Sequence, residues 1–216
     1  MQPAIPVSQE SGFLTATRDG TLDMGVMQHL KTATQPYHRL LEQQVNINAL
    51  SASALTYRRL LQRFYGFYAP GEAQLARLPW ATVGFEWSAR RHTPSLASDL
   101  QWLGETPASL AALPQCHTGP LLADIPRALG YLYVVEGATL GGQLISRHLQ
   151  QHLPVLQEAG CQFFQRYGKQ VGPMWRTFSH FVNTYVATHP TAESPMIATA
   201  CTTFQQLQHW LQGETA

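Results

Sequence analysis

One stretch constrains this chain more than any other: residues 131–152, YLYVVEGATLGGQLISRHLQQH. Both of its ends read as helix, yet Gly137, Gly141 and Gly142 sit in its middle. Each interior glycine costs a helix roughly 1 kcal/mol relative to alanine, because its backbone loses more freedom on folding. Three glycines within six residues therefore need a reason. Either another element packs on the bare backbone, or a flat ligand lies on it. Asp124 is placed to cap this helix, Pro126 falls just inside its start and Pro154 follows its end. The spacing predicts one glycine-containing helix over about 124–152.

The rest of the chain also reads as helices. In the first, over about 23–44, Leu30, Thr34, Tyr37 and Leu41 make a buried stripe, with Lys31, Gln35, His38 and Glu42 in the neighbouring row. Pro36 removes a backbone donor there, so this helix either kinks or restarts with Thr34 as its cap. A second helix spans 51–68, capped by Ser51 or Ser53 and ended by Pro70-Gly71, with Tyr57, Leu60, Leu61, Phe64, Phe67 and Tyr68 inward. Residues 75–94 read as loop with short helical pieces. Helices follow at 95–103, 107–113, 157–167 and 172–189, and a last one starts at Ser194-Pro195. No segment alternates with period two for long enough to be a strand. The expected fold is all-α, one domain over residues 23–216. The preceding arm, 1–22, carries Pro3, Pro6, Gly12 and Gly20 and is expected to be poorly ordered.

Composition narrows the function. There are 14 Lys+Arg against 13 Asp+Glu, and charged residues make up only 12% of the chain, which argues against a nucleic-acid or membrane-surface protein. Cys116, Cys161 and Cys201 form no CxxC pair and no evident disulfide framework. With no bilayer-spanning stretch and no basic-then-apolar leader, a cytoplasmic protein is expected. The nine histidines invite a metal search. No Glu-x-x-His pair of the di-iron carboxylate type is present. His148 and His152 read as a surface pair, while His29, His92, His117, His180, His189 and His209 read as surface or satisfied core residues. His38 differs. Glu42, one turn on, can hold one ring nitrogen and leave the other free as a metal ligand, and Lys31 lies on the same face to meet an anion. The alternative is an ordinary surface His–Glu pair.

LKTATQPYHRLLE (30–42) followed by YLYVVEGATLGGQLISRHL (131–149) resembles the haem oxygenase family, most closely its bacterial, bacteriophytochrome-associated branch. FFQRYG (163–168) and GPMWRTF (172–178) extend the resemblance, which covers about 26–211. It implies that His38 is the proximal iron ligand and Glu42 its hydrogen-bonding neighbour. Gly137, Gly141 and Gly142 then belong to a kinked distal helix and take part in binding the cofactor, with Gly137 and Gly141 over the haem face, and Lys31 and Arg176 meet the haem propionates. It further implies that haem is both cofactor and substrate, cleaved with dioxygen to biliverdin, carbon monoxide and ferrous iron. No flavin or nicotinamide motif is present, so electrons come from a separate reductase or ferredoxin, and a bilin-binding bacteriophytochrome is the implied recipient of the product. One position departs from the family pattern: Ala138 stands where many members carry an aspartate that orders water. Thr139 could hold a water there, but a helix hydroxyl more often bonds back to its own backbone. A non-catalytic haem-binding or haem-sensing protein of the same fold is the alternative, and a haem-free bundle with packing glycines is a third reading.

Overall fold

The C-terminal helix is the support on which the others rest. The computed structural model describes residues 15–16, 22–23, 25–45 and 50–213. Among them the chain forms α1 (Val26–Gln44), α2 (Ala54–Leu75), α3 (Thr93–Trp102), α4 (Pro107–Ala111), α5 (Ile125–Gly137), α6 (Thr139–His152), α7 (Val171–Thr188) and α8 (Glu193–Gln212), with short 3-10 turns between several of them. α8 buries Met196, Ala200, Phe204, Leu207 and Trp210 and packs chiefly against α5 and α1, while Trp210 reaches α2 and donates to Arg63 O at 2.6 Å. The α5–α8 crossing is a backbone contact. A Cβ on Gly130 would lie 2.1 Å from the Met196 carbonyl oxygen, so only glycine allows this approach. Thr199 and Thr203 sit in the same interface, and each donates its hydroxyl to the carbonyl four residues back, at 2.8 and 2.7 Å.

The all-α reading of the domain holds. Ahead of it, β1 (Thr15–Ala16) and β2 (Leu22–Asp23) pair antiparallel, a two-residue ladder that the sequence pattern does not announce. The expected disorder of the arm falls mostly on residues outside the described ones.

Several elements differ from expectation. α1 runs through Pro36 without a restart, and Thr34 is no cap: its hydroxyl donates to Leu30 O at 2.7 Å inside the helix. α2 does not end at Pro70-Gly71 but continues to Leu75. Pro70 lacks the N–H that would bond the Gly66 carbonyl, and Cys116 N–H takes that acceptor at 2.9 Å. The predicted helix over 157–167 is a series of turns. Side chains from α2 and α3 satisfy its backbone in place of a helical ladder. Tyr57 donates its hydroxyl to Gly160 O at 2.9 Å, and Asp99 accepts the N–H groups of Gln162 and Phe163, both at 2.8 Å. Two caps are as read: Ser53 accepts from Thr56 N at 3.1 Å and Asp124 from Arg127 N at 3.0 Å, whereas α8 opens at Glu193 with no side-chain cap.

Two predictions follow from this packing. Gly130→Ala forces the α5–α8 crossing apart and is expected to cost about 1–3 kcal/mol, read as a melting point lowered by roughly 2–4 °C per kcal/mol. Burial raises the Asp99 carboxyl to about 6, against the lowering effect of the Phe163 and Gln162 N–H bonds. The folded chain therefore holds this proton more tightly than the unfolded one. Its contribution is complete below about pH 4 and is lost as pH rises through 6, at about 1.4 kcal/mol per unit. A wild-type melting point that falls between pH 5 and 6.5 relative to Asp99→Asn is the expected result.

Candidate functional site

The row of α1 that carries His38 is open. Leu30 and Thr34 are buried and Tyr37 and Leu41 half-buried, whereas Lys31, Gln35, His38 and Glu42 are exposed. Glu42 Oε2 lies 3.4 Å from His38 Nδ1, and the ring of Phe204 meets the imidazole edge-on with centroids 5.7 Å apart. The imidazole is thus flanked by Glu42 on its Nδ1 side, the arrangement in which Nε2 is the nitrogen that would take a ligand. Its side chain is 56% exposed, far more than an imidazole serving the core.

The glycines divide into two kinds. A Cβ on Gly142 would lie 2.3 Å from Phe164 O, so this residue packs on backbone and does not face a ligand. The cofactor-binding part expected of Gly142 is corrected accordingly: tertiary packing occupies that side of the helix. Among the described residues, a Cβ on Gly141 would meet nothing within 4 Å, and one on Gly137 only the Trp175 ring, at 3.7 Å. Leu140 and Leu144, beside Gly141, are exposed. The expected single helix is broken between these faces, with Ala138 as the joint between α5 and α6. Thr139 donates its hydroxyl to Glu136 O at 2.6 Å, as expected of a helix hydroxyl, and is buried.

α7 ties the two halves together. Its Asn183 accepts from Met27 N on α1 at 3.4 Å, and its Trp175 stands against Gly137 and Tyr133. Arg176 follows Trp175 and is exposed, as is Lys31 on α1. Since α1 and α5 also share α8, the histidine helix and the bare-glycine helix rest on two common supports. His148 and His152 stack at 4.2 Å, as a pair on one face; His152 is exposed and His148 half-buried, its Nε2 3.2 Å from Ser51 Oγ. No group of three His, Cys, Asp or Glu among the described residues could hold a metal.

A buried charged cluster lies directly behind the joint, and sequence reasoning missed it. Glu136, only 1% exposed, accepts from Arg90 Nη1 at 2.5 Å and from the Tyr167 hydroxyl at 2.9 Å, with His92 Nε2 at 3.2 Å. Burial alone would raise its carboxyl, but His92, Arg90 and Tyr167 outweigh this and hold it below the ordinary glutamate range. Burial and Glu136 together push the Tyr167 phenol up to about 12, so it remains a donor. His92 is thus a core histidine whose ring is bonded through one nitrogen, with Nδ1 unpaired among the described residues. The available signal was Glu136 itself, a lone charge in the apolar run YLYVVEG.

The family described as heme oxygenase matches residues 24–213, nearly the whole described domain. The chain belongs to the heme oxygenase family. A heme oxygenase of Xanthomonas campestris pv. campestris (strain 8004) is 38% identical over 104 residues, which cover 48% of this chain and 59% of that relative. The alignment thus spans less than two thirds of the relative's length. Heme oxygenase from Neisseria meningitidis, solved with NO and CO bound, superposes with a TM-score of 0.72 at 22% identity, covering 88% of this chain and 92% of that one. Heme oxygenase from Leptospira interrogans gives 0.70 at 17% identity, covering 88% and 100%. At these identities the two structures establish the fold.

The division of the glycines is testable without ligand. Gly141→Ala gains helix propensity at no steric cost and is expected to raise the stability of the ligand-free protein by up to about 1 kcal/mol. Gly142→Ala, driven into Phe164 O, is expected to lower it by about 1–3 kcal/mol. Chemical denaturation of both variants measures this contrast.

Proposed function

We propose that this protein is a haem oxygenase that binds ferric haem through His38 Nε2 and cleaves it to biliverdin, carbon monoxide and ferrous iron. The observation that carries the reading is the unfilled backbone face at Gly141, a stability cost that internal packing does not explain. Haem is a flat disc on the order of ten ångströms across, comparable to a helix diameter. A helix can lie close over such a disc and still admit dioxygen only where it carries no side chains. The donor set fits: one accessible imidazole held on its Nδ1 side by Glu42, exposed leucines beside the glycines, and exposed Lys31 and Arg176 for the propionates. When bound, haem supplies both the iron and the ring that is oxidised. His38 holds it, Gly137 and Gly141 set the height of the wall above it, and Trp175 narrows the space beside Gly137. Electrons come from a separate reductase or ferredoxin. The bacterial, phytochrome-associated branch is the proposed setting, with the product passed to a bilin-binding photoreceptor and the protein acting in the cytoplasm.

The second reading, a haem carrier or sensor without turnover, is favoured by one observation. Ala138 offers no acid, and the Thr139 hydroxyl is already committed to Glu136 O.

The deciding measurement is an absorption time course on protein mixed with haemin and then given ascorbate or a ferredoxin system in air. The expected outcome is a sharp Soret band that decays while a broad red biliverdin band grows. His38→Ala is expected to slow this at least 100-fold. A Soret band that persists under reductant establishes the carrier, and the absence of any Soret band beyond that of free haemin removes both haem readings.

A further inference from the structure

Glu136 is one residue before Gly137 and is held from both sides of the helix break. Its side chain reaches outward to a frame of separate segments: Arg90 in a 3-10 turn, His92 just before α3, and Tyr167 in the turns before α7. Its carbonyl reaches forward to α6, accepting the Thr139 hydroxyl at 2.6 Å. The frame is itself fixed. Arg90 lies over the rings of Phe85 and Phe178 at 5.2 and 5.7 Å and donates through Nη2 to Met174 O at 3.2 Å, next to the Trp175 that touches Gly137. Tyr167 is the one described non-glycine residue with positive φ, at 66°, a conformation that its hydroxyl's contact with Glu136 helps to hold. Buried ion pairs recover little net stability, because desolvation offsets their attraction, but they admit few alternative arrangements. A joint built from Gly137 and Ala138 has no side chains of its own to fix its angle.

We propose that Glu136 is a positioning residue that sets the α5–α6 angle, and with it the height of Gly137 and Gly141 over the haem face. This rests on the haem reading for its consequence but not for its first test. Hydrogen exchange at amides 138–142 is measured in the haem-free protein for wild type, Glu136→Gln and Tyr167→Phe. The tyrosine variant removes one hydroxyl and leaves the Arg90 charge pair intact, so it decides the matter if the glutamine variant does not fold. The expected result is exchange at least tenfold faster at 138–142 with α8 unchanged. Unaltered exchange at 138–142, or a rise of equal size throughout the chain, overturns the proposal. The second test is the visible spectrum of the ferric haem complex, whose pH midpoint is expected to move by half a unit or more in the variant that loosens the joint. A midpoint identical to wild type overturns the link to the haem face. A wild-type protein that binds no haemin overturns that link together with the functional reading, while the exchange result still judges the joint.

Discussion

The structure depends on one constraint: the α5–α6 segment must present bare backbone to the elements it packs on. Toward the protein, Gly130 lets α5 touch the backbone of α8, and Gly142 lets α6 touch the carbonyl of Phe164. Away from it, Gly137 and Gly141 leave their faces nearly uncovered. The inward glycines are repaid by close packing and dispersion contacts. The outward ones gain nothing of that kind.

Such a segment is poorly held by its own side chains, so its geometry is fixed from outside. α7 and α8 each touch both α1 and the glycine-bearing segment. The Glu136 carboxylate joins the last turn of α5 to three further segments. The same architecture leaves the His38 row of α1 exposed, an open surface set against that frame.

Much of this was legible in the residues. The stripe of Leu30, Thr34, Tyr37 and Leu41, the caps at Ser53 and Asp124, and the helices around residues 172–189 and 194–212 follow from local periodicity and capping chemistry. The failures are equally specific. Pro70 looked like a terminator because its missing N–H leaves an acceptor orphaned, yet Cys116 supplies the donor from 46 residues farther along the chain. Residues 157–167 looked helical because side chains that would satisfy their backbone otherwise, Tyr57 and Asp99, lie far away in sequence.

The sequence by itself determined which residues share a face of each helix, and therefore that His38, Glu42 and Lys31 share one row while a run of glycines interrupts another. Periodicity is a local property, set by the 3.6-residue turn. Only the tertiary structure decided what covers each face: that Gly142 meets Phe164 while Gly141 meets none of the described residues, and that the lone Glu136 is paired with Arg90 and not left in water. Those outcomes depend on contacts between segments distant in the chain. A helical repeat carries no information about its neighbours.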